Sequence, residues 1–204
     1  MREIIVFRHS LHEDLGLGCS NWALPARLTL AGQNLARRIA DLYKDLLKNC
    51  NYFVTSPLIR AQETLFAMME ELWIPVREFD KKVIIANGLW TSNPADWLSE
   101  SNWTVGEVWE KSPVFVEGEG TKLWITGIMP TFRELIRLEE GKALCISHGG
   151  LLDAAVAFVR KVYLGDEEAF SKIKDFRKGE GVVFVFDDRK DILEVRELRF
   201  PDDF

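Results

Sequence analysis

The sequence predicts an α/β protein, a three-layer α/β/α sandwich around a mostly parallel central sheet. Two observations predict it. Short apolar runs with no polar face alternate with longer segments whose apolar residues recur at helical spacing, the pattern of a sheet covered by helices on both sides. The scarce chemistry-bearing residues then stand just past the ends of those runs, where such sheets bind ligands.

The elements follow in order. Residues 3–7 (Glu-Ile-Ile-Val-Phe) are β-branched and aromatic, as a strand buried on both faces requires. Leu35, Ile39, Leu42 and Leu46 mark an amphipathic helix over 30–48. A second strand at 52–55 meets a helix start, with Ser56 suited to the N-cap and Pro57 to the first helical position. Leu58, Ala61, Leu65, Met68 or Met69, and Leu72 continue that helix. Residues 143–146 (Ala-Leu-Cys-Ile) form another buried strand, followed by Ser147-His148-Gly149-Gly150 and an apolar helix over 151–163. Strands at 182–187 and 191–198 flank Asp188-Arg189-Lys190 as an antiparallel hairpin. The segment 86–127 breaks this rhythm. It carries Trp90, Trp97, Trp103, Trp109 and Trp124 and reads as an insertion within a single domain spanning 1–204, packed around its own rings.

Composition narrows the function classes. The 204 residues carry 26 Lys and Arg against 32 Asp and Glu, a formal charge of −6, which argues against a nucleic-acid partner. No apolar run approaches the roughly 20 residues that span a bilayer, so no membrane partner is expected. No small-residue cleavage site follows the first apolar run. Cys19, Cys50 and Cys145 are odd in number and widely spaced, which fits a reducing, cytoplasmic setting.

The candidate site residues are Arg8, His9, Arg60 and His148. Only three histidines occur, and two of them sit at strand ends. If the sheet gathers those ends, two guanidiniums and two imidazoles meet beside a helix N-terminus. That set suits a phosphate dianion, with charge balanced by arginine rather than by metal and an imidazole left to act as nucleophile. No cofactor is expected.

Four stretches resemble the histidine phosphatase superfamily (phosphoglycerate mutase-like), branch 1. They are Phe7-Arg8-His9-Ser10, Leu28-Thr29-Leu30-Ala31-Gly32-Gln33, the run from Thr55 to Thr64, and Ile146-Ser147-His148-Gly149-Gly150. The resemblance implies that His9 becomes phosphorylated while Arg8, Arg60 and His148 hold the phosphoryl oxygens. It implies a metal-independent phosphatase acting on a phosphorylated small molecule or a phosphohistidine protein. Ser10 stands where the family usually has Gly. The family's Glu after the third strand is missing from Val83-Ile84-Ile85-Ala86-Asn87-Gly88, a trait shared with its small phosphohistidine phosphatases. Its absence favours leaving groups that depart without a proton donor. Asp96, Glu117 and Glu119 are candidate replacements.

Three other readings stay open. One is a phosphoglycerate mutase-type phosphotransferase. Another is a catalytically impaired member that only binds a phosphorylated ligand. The third is a metallohydrolase using His9, His12 and His148 with Asp14 or Asp153.

Overall fold

The computed structural model describes residues 2–13, 26–74, 83–85, 135, 137, 141–169, 171–172, 175–189 and 191–201. The insertion expected at 86–127 lies outside them, as do Asp14, Asp96, Glu117 and Glu119.

Six strands form one sheet: β1 (Arg2–Arg8), β2 (Cys50–Thr55), β3 (Val83–Ile85), β4 (Lys142–Ser147), β5 (Gly181–Phe186) and β6 (Ile192–Leu198). Their order is β3-β2-β4-β1-β5-β6. The first four in that order pair in parallel, while β5 is antiparallel to both β1 and β6. The sheet is therefore mixed, with a parallel majority and the expected antiparallel hairpin at one edge.

Side chains alternate between the two faces, as the period of a strand demands. Ile4, Val6, Val54, Cys145, Val182 and Phe184 face one core with Leu151, Leu152, Val156 and Val159 of helix α4 (Gly149–Leu164). Ile5, Phe7, Phe53, Leu144, Ile146 and Val183 face the other. There they meet Ala36 and Ile39 of α1 (Leu30–Leu42), Leu47 of α2 (Lys44–Leu47), and Leu65 and Met68 of α3 (Ile59–Glu71). These are the three layers that the sequence predicts.

Three boundaries differ from the sequence reading. The helix expected over 30–48 is divided at Tyr43, whose N–H still bonds to Ile39 O at 3.0 Å. The helix expected at 151 begins at Gly149, directly after His148, and closes at Gly165 with φ 74°, the left-handed cap that glycine favours. Most consequential, Ser56 is not the N-cap of α3. That position falls to Leu58, which makes no side-chain cap bond, and Pro57 lies ahead of the helix. The Ser56 hydroxyl is committed to the site described below.

Just before β5, the buried Glu180 carboxylate gathers Arg177, Arg199 and Phe200. It accepts from Arg177 N–H at 2.7 Å, Arg177 Nε at 2.8 Å, Arg199 Nη1 at 3.0 Å and Phe200 N–H at 3.1 Å. Phe200 is thereby held beside Gly179 and packs on the α1/α3 face.

Thr29 caps α1 by accepting from Gly32 N–H at 3.0 Å, and Gly32 touches the carbonyl of Leu11. A Cβ at position 32 would collide with that backbone. Gly32→Ala is therefore expected to lower the unfolding free energy by about 1–3 kcal/mol, the usual cost of overpacking, as measured by urea denaturation.

Candidate active site

The strand order decides which residues meet. Because β4 lies between β1 and β2, the segments leaving all three strands converge at one end of the sheet. His9 N–H donates to Ser147 O at 2.9 Å, and Ser56 N–H donates to Ile146 O at 3.1 Å, so the three exits are joined through backbone. This end is the carboxyl edge of the parallel strands, where ligands bind in such sheets.

His9 and His148 are both 3% exposed, with ring centroids 5.0 Å apart. His9 Nδ1 lies 2.9 Å from Ser10 O. A carbonyl only accepts, so Nδ1 carries the hydrogen and the lone pair of the neutral ring is on Nε2. Burial, reinforced by the repulsion that two protonated rings would meet between His9 and His148 and by the charges of Arg60 and Arg8, holds His9 well below the usual imidazole pKa. His148 is held down in the same way, by burial first and then by Arg60 and Arg8. Both imidazoles are uncharged at neutral pH.

Ser56 Oγ is 2.8 Å from His148 Nε2 and accepts Leu58 N–H at 3.2 Å. A hydroxyl has two lone pairs, so Ser56 Oγ either donates to Nε2, with the imidazole hydrogen then on Nδ1, or accepts from it. His148 Nδ1 is buried and has no hydrogen-bond partner among the described residues. A buried polar nitrogen left unmatched is costly, and with the hydrogen on Nδ1 an incoming anion oxygen would match it.

Arg8 ends β1. Its Nη1 donates to Phe176 O, and its Nε is likewise buried without a partner among the described residues. The guanidinium lies against the start of α4, where a Cβ on Gly149 would come within 2.6 Å of Cζ. Only glycine admits that approach. Burial lowers the Arg8 pKa, while Asp153, Asp175 and Glu180 counter it. Arg60 is 2% exposed, the second residue of α3, and burial lowers its pKa to about 10, which still leaves it a cation at neutral pH.

The sequence-predicted set of Arg8, His9, Arg60 and His148 is thus brought to one end of the sheet, all four at or beside the strand exits. Several supporting residues escaped sequence reasoning. Ser56 reads as a cap but holds His148. Ser10, in place of the usual glycine, donates its hydroxyl to Gly32 O at 2.7 Å, and its N–H donates to Thr64 Oγ1 at 3.0 Å. Thr64 Oγ1 donates in turn to Arg60 O at 2.7 Å. Glu63 accepts from Arg27 Nε at 2.8 Å and from Leu28 N–H at 2.7 Å. Glu63 and Thr64 stand three and four residues after Arg60, on its face of the helix, and that spacing was the available signal. His12 is a third imidazole, its ring centroid 5.1 Å from that of His9. Among the described residues, no group of three His, Cys, Asp or Glu side chains is arranged to hold a metal ion. No described helix is long and apolar enough to cross a membrane.

The strand exits of a mixed α/β sheet thus gather two neutral histidines and two buried arginines. The sequence model of the histidine phosphatase superfamily (branch 1) matches residues 4–175, and the chain belongs to that family. Similar solved structures include a phosphoserine phosphatase from Entamoeba histolytica in complex with 3-phosphoglyceric acid. It is 20% identical over 99% of this chain and 98% of that one, with a TM-score of 0.70. A mycobacterial glucosyl-3-phosphoglycerate phosphatase is 15% identical over 97% of each chain, TM-score 0.66. The protein histidine phosphatase SixA, complexed with tungstate, is 16% identical over 96% of each chain, TM-score 0.57. At these identities the likeness is one of fold. No curated protein matches the chain by sequence.

Asp153 of α4 is 3% exposed and accepts Phe176 N–H at 3.0 Å, on the residue whose carbonyl holds Arg8. Burial pushes its pKa up to about 7. Unfolded, an aspartate titrates near about 3.9, so between these values the folded state holds the extra proton and stability falls as pH rises. Asp153→Asn keeps the acceptor and removes the titration. Relative to the parent it should gain on the order of a few kcal/mol between about pH 4 and about pH 8, read from urea denaturation. A pH-independent difference would contradict this assignment.

Proposed function

We propose that the protein is a metal-independent phosphatase that hydrolyses a phosphomonoester or a phosphohistidine through a phosphorylated His9. The observation that carries the reading is the 5.0 Å spacing of the buried His9 and His148 rings, next to Arg8 Nε and His148 Nδ1, which are buried without a partner among the described residues. Two uncharged imidazoles among buried cations lack only an anion. In this reading Arg8, Arg60 and the Nδ1–H of His148 hold the phosphoryl oxygens. His9 Nε2, its partner nitrogen fixed on Ser10, forms the bond to phosphorus as the bond to the leaving oxygen breaks. Water then cleaves the P–N bond and releases phosphate. Charge stabilisation by preorganised donors supplies most of the rate in such transfers.

Arginines set at a helix start and a strand end suit a small phosphorylated molecule or a phosphohistidine side chain. The amoebic relative is described in complexes with 3-phosphoglyceric acid and phosphoserine, which makes alkyl phosphates the first compounds to compare with aryl ones. The missing family Glu at 83–88 favours easily departing groups.

Incubation with an aryl phosphate at about pH 7, where its lowered pKa keeps His9 neutral, is expected to give turnover. His9→Ala should abolish both turnover and phosphoenzyme. Arg60→Ala should lower kcat about 10²–10³-fold, the range for losing one oxyanion donor. Phosphate release that survives His9→Ala, or near-normal rates in Arg60→Ala, would overturn the reading. Transfer to an added alcohol without phosphate release would identify a phosphotransferase. Phosphate binding with no phosphoenzyme would identify a ligand-binding member.

A further inference from the structure

Transfer of phosphorus to His9 places negative charge on the departing oxygen, and hydrolysis must remove a proton from water. The groups that hold phosphate are poorly suited to either task. Arg8 and Arg60 are fixed cations, and His148 Nε2 is engaged by Ser56. His12 is different. Its ring lies 5.1 Å from that of His9, tilted 47°, and it is only half-buried, whereas His9 and His148 are sealed. It can therefore contact both the reacting imidazole and solvent.

The backbone of His12 is firmly held. It bridges to Leu28, with Glu13 N–H donating to Arg27 O at 2.9 Å and Thr29 N–H donating to Leu11 O at 3.1 Å. Glu63 binds both Arg27 and Leu28, one helical turn after Arg60. The segment carrying His12 is thus tied to the helix that carries the phosphate-binding arginine. His12 Nδ1–H donates to Glu13 O at 2.8 Å, which orients the ring and makes Nε2 the atom that titrates.

We propose that His12 is the acid–base residue of this site. The inference rests on the phosphatase reading above. Protonated on Nε2 in the substrate complex, His12 gives its proton to the departing oxygen while the His9 Nε2–P bond forms and the P–O bond breaks. It then takes a proton from the water that attacks phosphorus. The P–N bond breaks, its electron pair returns to His9 Nε2, and His12 is again protonated. In the free protein, burial and the charges of Lys178, Arg60 and Arg8 favour neutral His12, against the Glu13 carbonyl. A bound dianion offsets those cations and favours the imidazolium.

The test is a series of phosphate esters running from dinitrophenyl phosphate through phenyl phosphate to phosphoserine, with parent, His12→Gln and His12→Ala compared at each. Loss of kcat/KM should be slight for dinitrophenol and grow to about 10²–10⁴-fold for phosphoserine, the range of general acid catalysis. Misfolded protein lowers every rate by one factor, so the ratio between substrates isolates the chemistry. A loss equal across the series, or no loss, overturns the role of His12 while leaving the phosphatase reading intact. If the parent's turnover survives His9→Ala, the phosphatase reading itself fails, and this inference with it.

Discussion

Everything at this site depends on keeping the Arg8 guanidinium buried beside two uncharged imidazoles. Removing a guanidinium from water is expensive unless hydrogen bonds and counter-charge replace hydration. Phe176 O takes one of the Arg8 donors, and Asp153, Asp175 and Glu180 supply negative charge nearby. The two sealed imidazoles contribute none, because burial and the neighbouring cations hold them neutral. Arg8 Nε and His148 Nδ1 remain buried without a partner among the described residues, and in the proposed reaction a tetrahedral anion meets them.

Sheet topology makes this arrangement attainable. Parallel pairing of β1, β4 and β2 points three chain exits the same way, and the central position of β4 sets His148 between the exits that carry His9 and Ser56. α3 then serves twice. Its start carries Arg60, and its next turn, through Glu63 and Thr64, fixes the segments that follow β1 and precede α1. The arginine and the histidine-bearing loop consequently share one rigid support.

Much of this was legible in the sequence, for physical reasons. Runs such as 3–7 and 143–146 have no polar face because helices cover both sides of the sheet, and their boundaries read directly. The scarcity of histidine made His9 and His148 stand out. Ser56 was misread because the residue types that cap helices also hold imidazoles, and only the fold shows which partner is near. Strand order was not legible, since local patterning does not encode which strands are neighbours. The sequence offered His12 beside His9 only as a ligand of the metallohydrolase alternative; the fold-back against 27–29 that holds it there has no local signature. Asp153 drew notice only as a metal ligand, whereas it braces the residue whose carbonyl holds Arg8.

The Ser10 carbonyl on His9 also has a consequence for regiochemistry. With Nδ1 occupied by that bond, the ring can be modified only at its far nitrogen. In the proposed reaction the covalent intermediate is accordingly the tele isomer of the phosphoramidate, never the pros isomer.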